Sequence, residues 1–400
     1  MQAQSPQVAV AVRRDATLIL SALGVVLLAA NMRAPITAVG PLVPVIQRSL
    51  DLSNAAAGAL TTVPLLAFAL LSPPAARLAR ALGIERVLFC SLLLLLAGHV
   101  VRPLGGVLPL FAGTILIGAA IALANVLMPA LVKERFGNRL GIMTGVYTVA
   151  MNFGAALAAG LSIPLAERWG LGWRGSLRFW ALLTLVALVA WAPQLRHRGG
   201  SALPAVPDRH GRPLWTSPLA WQVTFFMGLQ TFLFYFGFTW SPVILQQEGV
   251  EPETAGWMIS VFQFAQLPAM FFVPIQAERM GEQKPLVFLI AALMAAGIGG
   301  YLLPGSTLAW PASVALGVGA GSALPLAMMF FTLRTRDAME AAGLSAMAQS
   351  LGYLLAGLGP PVFGWLYDVT GGWVAPLSML LVVCACLLLA GAGAARNEHV

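Results

Sequence analysis

The chain has 400 residues, of which 59 % are apolar and only 10 % charged, and its mean hydropathy is +0.83. Soluble chains carry about 25 % charged residues, so this one cannot cover its own surface with charge, and a water-soluble globular protein is excluded. The net charge of +8 would suggest nucleic acid in a soluble chain; here it points to basic loops beside a membrane, and no nucleic-acid partner is expected.

A helix needs about 20 apolar residues to cross a bilayer. Twelve stretches are candidates: 16–46, 55–74, 87–101, 107–132, 140–165, 176–193, 217–245, 255–276, 286–303, 307–331, 341–366 and 374–394. They are too long for membrane strands and lack the apolar/polar alternation, so the expected fold class is an all-α membrane protein with 12 transmembrane helices. Residues 1–15 form a basic tail. The run after Arg13 and Arg14 has the look of an export signal, but eleven further spans follow it, and it is taken as the first helix.

The first span contains a cation. "NMRAPITAVGPLVP" places Arg33 among residues that stay uncharged up to Gln47 and Arg48. A helix stopping at Ala30 would be about 22 Å long, too short for a hydrocarbon core of about 30 Å, so Arg33 is expected inside the membrane. An arginine there costs about 2.5–3.5 kcal/mol and faces a cavity or a partner. Arg33, Thr37, Gly40 and Pro44 share one face of a continuous helix, and the prolines at 35, 41 and 44 are expected to bend it.

Further along, the third span carries His99 near its end, close to Arg102, and the fourth carries Asn125. The fifth adds Tyr147 and Asn152. After the basic, Pro- and Gly-containing stretch 195–216, an expected cytoplasmic linker, the seventh span offers Gln230, Thr231, Tyr235 and Trp240 within an aromatic run. The eighth has Gln263 and Gln266, three apart, and the eleventh Gln349 and Tyr353, four apart, so each pair shares a face. Asp and Glu fall at span ends or in loops. The candidate substrate-binding residues are therefore Arg33, Thr37, Tyr147, Asn152, Gln230, Tyr235, Trp240, Gln263, Gln266, Gln349 and Tyr353. One cation, several amides and many rings suit a small planar solute, anionic or nitro-bearing. Cys90, Cys384 and Cys386 show no metal spacing; no metal site and no cofactor are expected.

Lys and Arg alternate in number between successive loops: seventeen fall on one side and five on the other, with Arg33 completing the 23. The positive-inside rule puts both termini in the cytoplasm. The two halves also match. A shift of 198 sets Pro44 on Pro242, Gly58 on Gly256, Gly83 on Gly281 and Arg86 on Lys284, and a shift of 199 sets Arg135 on Arg334. Two parallel six-helix repeats, 16–194 and 217–395, with a tail 396–400, are the plan of a rocker-type secondary transporter.

At this point the chain resembles the major facilitator superfamily over almost its full length. That resemblance implies a conformational lock in the loop between helices 2 and 3. In "AARLARALGIER", Gly83 and Arg86 match the motif, while Arg80 replaces an expected Asp. The second copy, "QAERMGEQK", has Glu278 at that place and keeps Gly281 and Lys284. The run Asn31, Arg33, Ile36, Thr37, Val39, Gly40, Pro41, Leu42 is similar to that of the cyanate permease family, which includes nitroimidazole transporters. A monomeric inner-membrane carrier of a small solute across the lipid bilayer is what the resemblance implies. A drug-effluxing antiporter is the alternative, although the glycine series of the fifth span lacks its proline. A membrane enzyme finds no HExxH and no histidine partner for Ser345, and no extra domain argues for a sensor.

Overall fold

The computed structural model describes residues 20–196, 214–303 and 308–400. The N-terminal tail and most of the expected linker lie outside the described residues.

The described chain is helical almost throughout. α1 (Leu20–Leu50) is broken. α2 (Asn54–Leu82), α3 (Ile84–Val101), α4 (Val107–Phe136) and α5 (Leu140–Glu167) follow. α6 (Gly172–Leu195) is made of the pieces Gly172–Phe179 and Ala181–Trp191 and a short 3-10 end. The second half has α7 (Pro218–Thr239, continued by Ser241–Gln247), α8 (Pro252–Arg279), α9 (Lys284–Leu302), α10 (Ala309–Leu333), α11 (Ala338–Thr370) and α12 (Val374–Ala394). Among the described residues, ten stretches are long and apolar enough to cross a membrane; one of them, Val107–Glu167, holds both α4 and α5, and α8 is not among the ten.

The largest boundary differences have physical causes. α2 outruns the expected 55–74 because it keeps Pro64, Pro73 and Pro74 inside the helix and ends only at Gly83, whose φ of +89° suits glycine alone. α11 outruns 341–366 because Asp337 caps its start, accepting from Glu340 N at 2.8 Å, and Gly371 in the left-handed region ends it. Helix pairs approach closely where a side chain is missing. A Cβ on Gly154 of α5 would lie 2.5 Å from Ala30 O of α1, and one on Gly145 would lie 2.8 Å from Phe271 O of α8.

Each half is tied at its basic-loop end by one arginine at matching repeat positions. In the first, Arg135 pairs with Glu85 at 2.8 Å and donates to Ser21 Oγ (2.7 Å) and Gln194 Oε1 (3.1 Å), while Trp191 Nε1 donates to Glu85 O. In the second, Arg334 donates to Gln283 Oε1, Ala394 O and Ala395 O, and Val400 N folds back to Arg334 O at 3.0 Å. Burial pushes the Arg334 pKa down, and the charges of Glu282 and Glu398 oppose that.

The first tie can be tested by mutation. Arg135→Met strands the Glu85 carboxylate and is expected to cost about 3 kcal/mol of unfolding free energy in detergent, with part recovered by adding Glu85→Gln. A loss below about 0.5 kcal/mol in chemical denaturation would make the pair no better than a surface ion pair.

Candidate functional site

The site begins with a missing hydrogen. Pro35 has no N–H to give Asn31 O, and its ring crowds that carbonyl, so the hydrogen-bond ladder of α1 is interrupted at this point. The helix closes instead with Met32 N on Ala29 O at 3.0 Å, leaves the helical state at Met32 and Arg33, and restarts as the turn Ala34–Thr37. Pro41 then leads a 3-10 turn, Gly40–Leu42, before helix resumes over Val43–Leu50. The continuous helix expected from the sequence is therefore corrected: prolines at 35 and 41 break it rather than bend it.

Polar side chains of the same half brace the break. Asn31 donates to Leu27 O (2.8 Å) and Leu183 O (3.3 Å) and accepts from Thr184 Oγ1 (2.7 Å), which ties it to α6. Thr37 Oγ1 reaches Ala155 O of α5 at 3.1 Å as well as Arg33 O and Ala34 O. Ser162 of α5 donates to Ala38 O at 2.9 Å. Arg33 itself turns away from this half. Its Cζ lies 5.8 Å from the centroid of the Phe234 ring on α7, a cation–π approach across the seam. Phe68 of α2 packs 5.0 Å from the Tyr353 ring, and Phe234 stands 5.5 Å from Tyr235 and 6.1 Å from Phe262. Among the described residues Arg33 forms no salt bridge. One half-buried cation thus lies against the Phe234 ring of α7, which packs in turn on Tyr235 of the same helix and Phe262 of α8.

Of the predicted residues, Arg33 and Tyr235 meet the same ring, Phe234, while Tyr353 packs against Phe68 of α2. Thr37 was expected on Arg33's face; the break rotates it onto α5. Trp240 lies in another aromatic group, 5.4 Å from Phe363 and 5.8 Å from Trp373, where Gln247 Oε1 accepts from both Tyr367 and Trp373. The amides are bonded locally or across the seam. Gln230 donates to Thr231 Oγ1 (2.6 Å), and Gln266 donates to the exposed Gln263 (2.7 Å). Gln349 donates to Asn125 O of the other half (3.0 Å) and to Ser345 Oγ (2.8 Å). Asn152 reaches Thr148 O at 3.3 Å and the Met270 sulfur. Tyr147 OH, Gln266 Oε1 and Gln349 Oε1 are buried without a partner, which leaves hydrogen-bonding capacity at the seam.

At the basic-loop end the halves are joined by charges on helix ends. Glu278 of α8 accepts from Leu140 N (2.9 Å) and Gly141 N (2.8 Å), capping the start of α5. Lys133 of α4 donates to Thr332 O (2.6 Å), to Thr335 Oγ1 (3.0 Å) and to Thr335 O, at the end of α10. Arg80, Arg86, Gly281 and Lys284 are exposed, and Lys284 pairs with Glu282 at 2.8 Å. The sequence reading missed Phe68, Phe234 and Lys133. The two phenylalanines carry no signal that separates them from core, and Lys133 looked like one more loop cation.

The Major Facilitator Superfamily sequence profile matches residues 22–357. The chain belongs to the major facilitator superfamily. It is 43 % identical to an uncharacterized transporter of Bacillus subtilis (strain 168), YycB, over 94 % of each chain. It is 37 % identical to the 2-nitroimidazole transporter of Escherichia coli (strain K12), over 94 % of this chain and 95 % of that one. To the cyanate transport protein CynX of the same strain the identity is 26 %, over 87 % and 90 %. A solved structure of the proton:xylose symporter XylE shares the fold with a TM-score of 0.76 at 15 % identity, covering 94 % of this chain and 95 % of that one. This superfamily member is a multi-pass membrane carrier, not an enzyme.

The role of Thr37 in the brace can be tested. Thr37→Val keeps the shape and removes the hydroxyl that reaches Ala155 O; the expected result is about 1 kcal/mol less stability with solute affinity within about two-fold. Unchanged thermal stability with a ten-fold weaker affinity would instead make the hydroxyl a solute contact.

Proposed function

We propose that this carrier moves a small planar solute, anionic or nitro-bearing, by alternating access, and that it shares a subfamily with the cyanate and nitroimidazole transporters. The observation that carries this reading is Arg33: a cation at the seam, with no salt bridge among the described residues, facing the Phe234 ring of the opposite half. An electron-rich solute would complete its hydrogen bonds, and the rings around it would take the solute's planar faces. The names of two relatives, which speak of 2-nitroimidazole and of cyanate, point to the same chemistry. A bulky lipophilic cation would meet Arg33 and no carboxylate.

In this reading twelve helices cross a bacterial inner membrane, with a cytoplasmic tail 1–15, six-helix bundles 16–194 and 217–395, and a cytoplasmic linker 195–216 between them. The termini face the cytoplasm, the tail 396–400 included, and the carrier works as a monomer. Arg33 belongs to one bundle and the rings chiefly to the other, so a bound solute bridges them and can couple their rocking. Tyr147, Asn152, Gln230, Gln263, Gln266 and Gln349 supply further polar contacts as the bundles move, and Thr37 and Trp240 shape the walls. Glu278, with Lys133, holds the cytoplasmic end shut between turnovers. Gly83, Arg86, Gly281 and Lys284 shape the two loops beside it, and Arg80 stands where the first copy would otherwise carry an acid.

Thermal-shift and calorimetric titration of purified protein with 2-nitroimidazole, cyanate and tetraphenylphosphonium tests the solute class. Wild type should respond to the first or the second, Arg33→Ala should bind at least about ten-fold more weakly, and Arg33→Lys should fall between. Binding that survives in Arg33→Ala, or a response to the phosphonium alone, overturns the assignment.

The gate has its own measurement. Glu278→Gln keeps the shape but loses the charge at the α5 start, worth about 1 kcal/mol, or about a five-fold shift toward the state open at the cytoplasmic end. Spin-label distances between positions 138 and 279 should broaden toward longer values; an unchanged distribution would remove Glu278 from the gate.

A further inference from the structure

The braces of the α1 break so far are neutral: an amide and two hydroxyls. A fourth comes from α3 and is charged. Arg102 caps the end of α3 and is only 2 % exposed. Its Nη1 donates to Pro35 O at 2.9 Å. That carbonyl is available because the chain tightens here: Val39 N bonds to Ile36 O at 3.3 Å instead of reaching back four residues to Pro35. The contact thus falls two residues after Arg33, between the Asn31 brace on one side and the Thr37 and Ser162 braces on the other.

The anchor of this arginine is itself fixed. A Cβ on Gly113 of α4 would lie 2.5 Å from Arg102 N, Cα and Cβ, so α4 presses directly on the Arg102 backbone, and a side chain at 113 would push it away. Arg102 Nε and Nη2 have no partner in the protein, so Pro35 O is the one protein acceptor this guanidinium reaches among the described residues. A buried charge spent on a single carbonyl is costly unless that carbonyl must be held. A charge-assisted bond is also stronger and shorter than the neutral braces beside it.

We propose that Arg102 is a positioning residue: by holding Pro35 O it fixes the broken segment of α1 and so the place from which Arg33 reaches across the seam. It touches no solute. The inference rests on the reading of Arg33 as the solute-holding cation. It adds that solute affinity is set partly from the far end of α3, by a residue outside the motif run of α1.

The test compares wild type, Arg102→Met and Arg102→Lys. Methionine fills similar space without a donor, and lysine restores one charged donor. Hydrogen–deuterium exchange of the solute-free protein reads the brace directly. In Arg102→Met, exchange should rise over residues 31–38 while peptides of α4 and of α12 stay at wild-type rates. In proteoliposomes loaded with 2-nitroimidazole or cyanate, Arg102→Met should raise KM about ten-fold with the maximal rate within about two-fold, and Arg102→Lys should recover most of it. Unchanged exchange over 31–38 overturns the proposal. So does a rise spread over the whole first half, which marks a purely structural role, and so does raised exchange at 31–38 with KM unaltered. If Arg33→Ala leaves solute binding intact, the solute reading fails alone, because the exchange experiment still decides whether Arg102 holds the break.

Discussion

One absent hydrogen-bond donor organises this molecule. Pro35 cannot give an N–H to Asn31 O, and from that follow the loss of helix at Met32 and Arg33, the tight turns up to Leu42, and a set of carbonyls that ordinary helix would have satisfied internally. In a bilayer such groups are tolerated only where protein covers them or a cavity hydrates them. The first half answers with side chains from three helices: Arg102 on Pro35 O, Ser162 on Ala38 O, and the Asn31–Thr184 pair beside them. The break is therefore braced and not loose. Because its own half is occupied with holding the backbone, the arginine in the break is left to face the other half.

That arrangement lets a cation sit at the seam at all. A guanidinium inside a membrane is costly, and a nearby carboxylate would pay for it in the usual way. Such a pair would leave little for a solute to do. The Phe234 ring offers something weaker. A ring face stabilises the charge without neutralising it. Among the described residues, no ion pair locks the halves across Arg33. Charged contacts between the halves are found at the basic-loop end, where Glu278 and Lys133 each meet the complementary end of a helix from the other half.

Much of this was legible in the sequence. Hydropathy, loop charge and the repeat offset located the helices, because a bilayer allows few other solutions. Arg33 could be found because a charge inside an apolar run has few bland explanations. Its relation to Thr37 could not. The spacing of four predicts a common face only on an intact helix, and the prolines that gave the warning do not say whether a helix bends or breaks. That depends on whether neighbours can satisfy the released carbonyls, and those neighbours, Arg102 and Ser162, lie 67 and 124 residues away in the chain. Phe68 and Phe234 were invisible for a simpler reason. A phenylalanine that meets a cation, as Phe234 does, and one that packs on another ring, as Phe68 does on Tyr353, are the same letter in the same apolar run. Trp240 had a polar tip and looked the better choice, yet it stacks into the Phe363–Trp373 group.

The repeat sharpens the point, because the halves depart from each other where charge matters. A shift of 198 carries Arg33 to Thr231, Arg80 to Glu278 and Glu85 to Gln283. The first substitution leaves the seam with one cation where strict symmetry would give two, and two guanidinium groups at one level would repel each other with no acid between them. The second gives α8 an acid that caps α5, while the matching helix start, α11, is capped from within by Asp337 and needs nothing from Arg80. The third replaces an ion pair by an amide at Arg334, and there the carbonyls of Ala394 and Ala395 supply acceptors that Arg135 obtains from Ser21 and Gln194. Two of these changes remove a charge from one copy and one reverses its sign, and at the first of them the backbone differs as well: α1 breaks at Arg33, while α7 runs on through Thr231. Two similar halves can thus differ in charge at matching positions, with Glu278 and Lys133 at the basic-loop end set by one copy each and the broken helix confined to the copy that carries Arg33.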